Sequence, residues 1–272
     1  MAETIQKKLN DSFIARWSAL VLIALAMFFA YMFVDVMSPL QSMIEDQRGW
    51  GSDVFGTYAA SEYILNVCGF LILAGIILDK MGVRFTGILS TSLMAAGACV
   101  KFVGISEWFQ GTPLNEWLDS WWTAIPGSAK MASLGFMIFG CGCEMAGITV
   151  SRGIVKWFKG RDMALAMGSE MALARLGVAT CMIFSPYFAR LGGQIDVSRS
   201  VAFGVVLMCI ALIMTIVYFV MDKKLDSQTG EAEEKDDPFK ISDLGQILTS
   251  SGFWLVALLC VLYYSAIFPF QK

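Results

Sequence analysis

Three consecutive stretches decide the fold: GFMIFGCGCEMAGITV (135–150), SRGIVKWFKGRD (151–162) and MALAMGSEMALARLGVAT (163–180). The outer two are apolar and long enough to enter a bilayer, and the middle one is a basic loop. Each apolar stretch nevertheless carries charge, Glu144 in the first and Glu170 and Arg175 in the second. An isolated charge at the centre of a membrane helix costs at least ~2.5–3.5 kcal/mol. A carboxylate and a guanidinium on adjacent spans therefore point to a polar interior and to a solute that both can hold.

Working outward, the same segmented pattern covers the chain. Hydrophobic residues make up 57% and charged residues 16%, and mean hydropathy is +0.64. Soluble domains are about 25% charged. Windows near 17–38, 54–78, 85–105, 129–150, 163–187, 201–221 and 253–270 each hold roughly the twenty apolar residues a helix needs to cross the hydrocarbon core. The expectation is an all-α polytopic membrane protein with six spans and a seventh that stops near the last residue. The first apolar run outlasts the roughly 7–15 residues of a signal-peptide core, so it reads as a retained signal-anchor.

The basic residues orient the bundle. Lys7, Lys8 and Arg16, Lys80 and Arg84, Arg152, Lys156, Lys159 and Arg161, and Lys223, Lys224, Lys235 and Lys240 fall on one side, thirteen in all. Arg48, Lys130, Arg190 and Arg199 are the four on the other. The positive-inside rule then places the N-terminus in the cytoplasm. The seven cysteines all fall within spans and read as packing residues, Cys141 and Cys143 included. The chain has no histidine, which removes the commonest metal ligand and near-neutral proton shuttle. No metal, cofactor or nucleic-acid partner is expected, and no nucleophile elbow or metal cluster suggests an enzyme.

The segment 106–128 places Trp108, Trp117, Trp121 and Trp122 on the outer side, where indole rings suit the headgroup level. The stretch 222–240, DKKLDSQTGEAEEKDDPFK, reads as a flexible acidic linker. The expected organisation is a six-helix bundle over 1–221, a cytoplasmic linker over 222–250, and over 251–272 a seventh helix that opens a missing second bundle. A chain built this way is expected to be a fragment or truncated product of a two-bundle transporter.

Span two runs into GIILDKMGVR, with Gly75, Asp79, Lys80, Gly82 and Arg84. Between spans two and three this resembles the G-x-x-x-D-R-x-G-R-K/R signature of the major facilitator superfamily. Lys80 stands for the first Arg and keeps its charge without the bidentate fork, and Val83 stands for the second. The 135–180 region is similar to spans four and five of the lysosomal dipeptide-transporter branch of that superfamily. The shared elements are the Gly-rich run ending in Glu144, the WFKG of Trp157 to Gly160 with Arg161 and Asp162, then Gly168 and the A-R-x-G of Ala174, Arg175 and Gly177. The closing YYSAIFPF resembles that branch's seventh span. The resemblance implies the N-terminal half of a two-bundle fold and uniport of short peptides by alternating access, both ends of the peptide being recognised in a central cavity.

The residues agree with that implication at two positions. Glu144 can accept a peptide ammonium while Arg175 grips its carboxylate bidentately; the alternative is that the two pair with each other. Glu170 lies five residues before Arg175, about 140° away around the helix, and is expected in packing or gating. Tyr31 and Asp35 share a face of span one, as Glu62 and Asn66 share one of span two. Tyr31, Glu62 and Asn66 are candidate substrate contacts, and Glu62 and Asp35 are also open to gating, proton binding or capping. Asp79 is expected to cap a neighbouring helix N-terminus or to pair with a basic residue across a contact that breaks and re-forms, Arg152 to make a salt bridge or meet headgroups, and Lys101 to snorkel. Glycines 135, 140, 142 and 147 are expected to let helices pack closely.

The expected function is transport of small zwitterions such as dipeptides, with the lipid bilayer as the other partner and no accessory subunit legible. The alternative is a proton-coupled carrier of organic anions or drugs working through Glu62, Glu144 or Glu170. A retinal receptor is disfavoured because span seven offers no lysine. Compactness points to a bacterial-type inner membrane in preference to a lysosomal one.

Overall fold

The computed structural model describes residues 9–229, 245 and 247–271, with side chains through 266. The described residues are helical throughout their ordered elements and contain no strand. α1 (Phe13–Val34) begins at Ser12, whose hydroxyl accepts the Ala15 N–H at 3.5 Å and so satisfies one of the orphan amide groups of the first turn. It ends at Asp35, a turn earlier than its apolar window suggests. The chain then bends through Ser38–Leu40 into the short α2 (Gln41–Arg48).

A run of 54 residues, Ser52–Ile105, follows as one nearly continuous helical stretch. It comprises α3 (Ser52–Leu65), a π-helical turn at Asn66–Phe70, and α4 (Leu71–Ile105). About twenty residues already span a bilayer, so this run holds two crossings. Gly82 divides them at φ 78°, ψ 170°, a conformation that a Cβ would penalise. α5 (Glu107–Gln110) and α6 (Pro113–Ser120) cover one end of the bundle, and the long α7 (Gly127–Phe158), α8 (Met163–Ala189) and α9 (Val197–Thr229) complete it. Among the described residues, five stretches are long and apolar enough to cross a membrane. Divided at Gly82, the second is long enough for the two windows expected over 54–78 and 85–105.

Two boundaries differ from the sequence expectation. α7 keeps its helical geometry to Phe158, burying Ile154, Trp157 and Phe158, so the twelve-residue basic loop shrinks to a turn over 159–162. α9 continues through Thr229, so residues 222–229 are helix and not flexible linker. The rest of that linker, 230–244 and 246, lies outside the described residues. The chain divides into two compact units, Met1–Glu233 and Glu234–Lys272. The second contains α10 (Ser251–Gln271), an apolar helix whose described side chains are almost all exposed.

Within the first unit, α4 packs on α7, α1 on α8 and α9, and α3 on α7. Small residues set these contacts. A Cβ on Gly97 would lie 2.6 Å from the Gly135 carbonyl, and one on Gly135 would lie 2.6 Å from that of Gly97. At Gly142 it would lie 2.6 Å from the Ser90 carbonyl, and at Gly140 it would collide with the Glu62 backbone. Where lipid tails are as apolar as the side chains, such close approach supplies the packing that water-driven burial cannot. Gly147 and Gly75 differ, since a Cβ there would meet nothing within 4 Å. The outward surface carries Val206, Ile213 and Val220 of α9 and Ile183 of α8, each more than half exposed, as a hydrocarbon-facing surface requires.

Candidate substrate site and charge network

The bundle has two chemically distinct ends. One carries Ser12, the Gly82 break and the α7–α8 turn (the basic end); the other carries α5 and α6 with their indoles (the Trp end). Trp108, Trp117 and Trp122 are 60–62% exposed there. Asp119 fixes this cap to the bundle by accepting the Gly127 N–H at 2.6 Å and the Asn115 amide at 2.9 Å.

Between the ends, three helices bring the candidate grips together. Arg175 projects from α8 with its guanidinium carbon 5.5 Å from the centre of the Tyr31 ring on α1, and it is exposed where Glu170, five residues earlier, is buried. Glu144 on α7 is half-buried. Tyr31 stands within electrostatic reach of Arg175, Glu144 and Glu170. Among the described residues, Glu144, Glu170 and Arg175 form no ion pair within 4.0 Å, so Glu144 and Arg175 do not neutralise each other.

Glu62 and Asn66 sit differently from Arg175. Glu62 is 4% exposed on α3, hydrogen-bonded to the Tyr63 hydroxyl, and its backbone carbonyl accepts the Asn66 amide at 3.4 Å. Tyr63, which the sequence did not single out, lies within electrostatic reach of both Glu62 and Glu144. Asn66 opens the π-helical turn, and its Oδ1 has no hydrogen-bond partner among the described residues. Asp35 is 9% exposed at the C-cap of α1 and accepts the Ser38 hydroxyl at 3.1 Å. Lys101 does not snorkel: it has no exposed surface and lies among the Phe136, Phe33 and Tyr58 rings.

At the basic end, the Arg152 guanidinium donates to the Asp79 carboxylate at 2.6 Å, joining α7 to the signature segment. A second cluster lies beside it. Lys156 pairs with Asp222 at 2.7 Å and with Asp226 at 2.8 Å, and Arg84 pairs with Asp226 at 3.1 Å and with Asp222 at 3.8 Å. The Trp157 indole N–H also donates to Asp222, at 3.0 Å. Asp222 has no exposed surface, and the charge-assisted bond from Lys156, the indole bond from Trp157 and the nearby Arg84 charge offset its desolvation. The sequence reading missed Asp222 and Asp226 by placing them in a linker. Their signal is the buried stripe Tyr218, Asp222 and Leu225 at helical spacing. Lys80 is exposed. Arg161 pairs with Asp11 at 3.0 Å and Arg16 with Asp162 at 3.7 Å, tying the start of the chain to the α7–α8 turn.

Comparison with known proteins places this geometry. The chain is 25% identical over 253 residues to the lysosomal dipeptide transporter MFSD1 of Danio rerio, covering 89% of this chain and 50% of that protein. It is 24% identical over 268 residues to the Pongo abelii protein of the same name, covering 94% and 52%. With that of Bos taurus it shares 27% over 148 residues, covering 52% and 31%. The chain thus spans about half the length of the curated relatives it matches, or less. The family model described as Major Facilitator Superfamily matches residues 23–271. A multi-pass bundle of apolar helices and a match over nearly the whole chain give one conclusion: this chain belongs to the major facilitator superfamily.

Proposed function

We propose that this chain forms the first bundle of a transporter that moves dipeptides or similar small zwitterions by alternating access. The observation that carries the proposal is the exposed Arg175 guanidinium over the Tyr31 ring, with the half-buried Glu144 carboxylate on the neighbouring helix, neither of them ion-paired among the described residues. Opposite charges on neighbouring apolar helices, not paired with each other, match a solute with an ammonium at one end and a carboxylate at the other. Arg175 offers a planar fork to the carboxylate and Glu144 an acceptor to the ammonium. The Asp79–Arg152 pair and the Asp222 cluster would close the basic end in one state and open in the other. Gly75, Gly82, Lys80 and Arg84 belong to the same moving contact, with Glu170 and Asp35 as structural supports. The organisation proposed is a first bundle that continues past residue 221 to the end of α9, then a linker and a helix that begins a second bundle.

The distribution of Lys and Arg supports a cytoplasmic basic end. The relatives' lysosomal name favours an internal compartment over the bacterial-type inner membrane expected from compactness alone. In proteoliposomes of the full-length protein, Glu144→Gln and Arg175→Ala should each lower uptake of a labelled dipeptide by about 10- to 100-fold, the worth of one charge-assisted contact. Wild-type uptake in both variants would remove the zwitterion clamp. The buried carboxylates of Glu62 and Glu170, 4% and 8% exposed, support a second reading as proton sites. Accumulation of solute against its gradient on imposing a pH difference would favour that reading over uniport.

A further inference from the structure

Lys101 is a cation in the apolar core of the Trp end, with no exposed surface. Its ammonium lies 4.1 Å from the centre of the Phe136 ring on α7, 4.5 Å from Phe33 on α1 and 5.3 Å from Tyr58 on α3. The negative faces of three rings compensate part of the lost hydration. The same ammonium donates to the Phe33 carbonyl at 3.4 Å. That carbonyl is in the last turn of α1, where carbonyls outnumber helical donors and the helix dipole is negative. Lys101 therefore caps α1 from a different helix, next to Asp35 at the same terminus.

The surroundings leave this end of α1 little freedom. A Cβ on Gly135 would collide with the Lys101 backbone, and one on Gly204 of α9 would collide with the Phe33 ring. Phe33 also contacts Phe139 of α7, with ring centres 4.9 Å apart. Tyr31 lies two residues earlier on the same turn, under the Arg175 guanidinium at 5.5 Å. Any rotation of the last turn of α1 displaces Tyr31 from Arg175.

We propose that Lys101 is a positioning residue for the binding site: by tying the last turn of α1 to α3, α4 and α7, it holds Tyr31 against Arg175 and sets how the carboxylate end of the solute is gripped. This rests on the reading of Arg175 as the carboxylate grip. The test compares a labelled dipeptide with its C-terminal amide in proteoliposomes of the full-length protein, with rates normalised to folded transporter. Lys101→Met removes the charge at similar length, and Lys101→Arg keeps it. In Lys101→Met the half-saturation concentration for the free acid should rise by about tenfold, the worth of one charge-assisted contact. The amide and the maximal rate should be unchanged, and Lys101→Arg should restore most of the loss. Phe136→Leu, which removes one ring and leaves the ammonium, should give the same selective loss on a smaller scale and serves if Lys101→Met does not fold. If the wild type favours the acid and folded Lys101→Met or Phe136→Leu keeps that preference, or loses acid and amide alike, Lys101 only packs and the proposal fails. A wild type that handles acid and amide equally removes the carboxylate grip itself, and the proposal with it.

Discussion

At the scale of single residues, a charge inside an apolar run stands out in the sequence, and its partners do not. Glu144 and Arg175 are legible as candidates because each is a charge inside a long, mainly apolar run. That Arg175 rests on Tyr31 depends on the rotation of two helices more than 140 positions apart in the chain. Asp222 is the converse case. Its polar sequence neighbours suggest solvent, yet it is fully buried and receives bonds from Lys156 and Trp157. Removing one member of a buried ion network while its partners stay costs more than the pair contributes. Asp222→Asn should therefore destabilise the folded bundle by ~3 kcal/mol, seen as a lower unfolding temperature in detergent. An unchanged transition would mean that Arg84 and Lys156 are satisfied by Asp226 alone.

At the scale of helices, hydropathy selects the segments long and apolar enough to cross and leaves their ends open. α1 stops before its apolar window does, where the chain leaves helical geometry at Asp35 and turns through Ser38–Leu40. α7 and α9 run past their windows, because Trp157, Asp222 and Leu225 find buried partners beyond the apolar core. The α4–α7 seam shows how a glycine's value depends on its neighbour. At Gly97 and Gly135 a side chain would meet the facing backbone, and backbone cannot swing aside. Gly135→Leu should therefore cost more than the ~1–3 kcal/mol of ordinary overpacking, lowering the yield of monodisperse protein in size-exclusion chromatography. Gly147 was expected to behave alike, but a Cβ there meets open space. Gly147→Ala should be neutral or stabilising by roughly 0.5–1 kcal/mol through helix propensity, and a loss of folded protein would refute the distinction.

At the scale of the molecule, the basic and Trp ends predict sidedness. In a cysteine-free background, a cysteine at Ser12 should react with an impermeant maleimide only from the cytoplasmic side, and one at Ser120 only from the other. The reverse pattern would overturn the orientation. The sequence by itself determined that this is an all-α membrane protein, how many times its first unit can cross, and which charges are enclosed by apolar helix. Those follow from hydropathy and charge, which are summed along the chain and need no knowledge of neighbours. Only the tertiary structure decided which charges meet: Arg152 with Asp79, Lys156 and Arg84 with Asp222, Lys101 with three rings and the end of α1, and Arg175 with Tyr31. The physical reason is that a charge–charge or charge–ring contact acts over a few ångströms, and which side chains come that close is set by the rotation and register of helices distant in sequence.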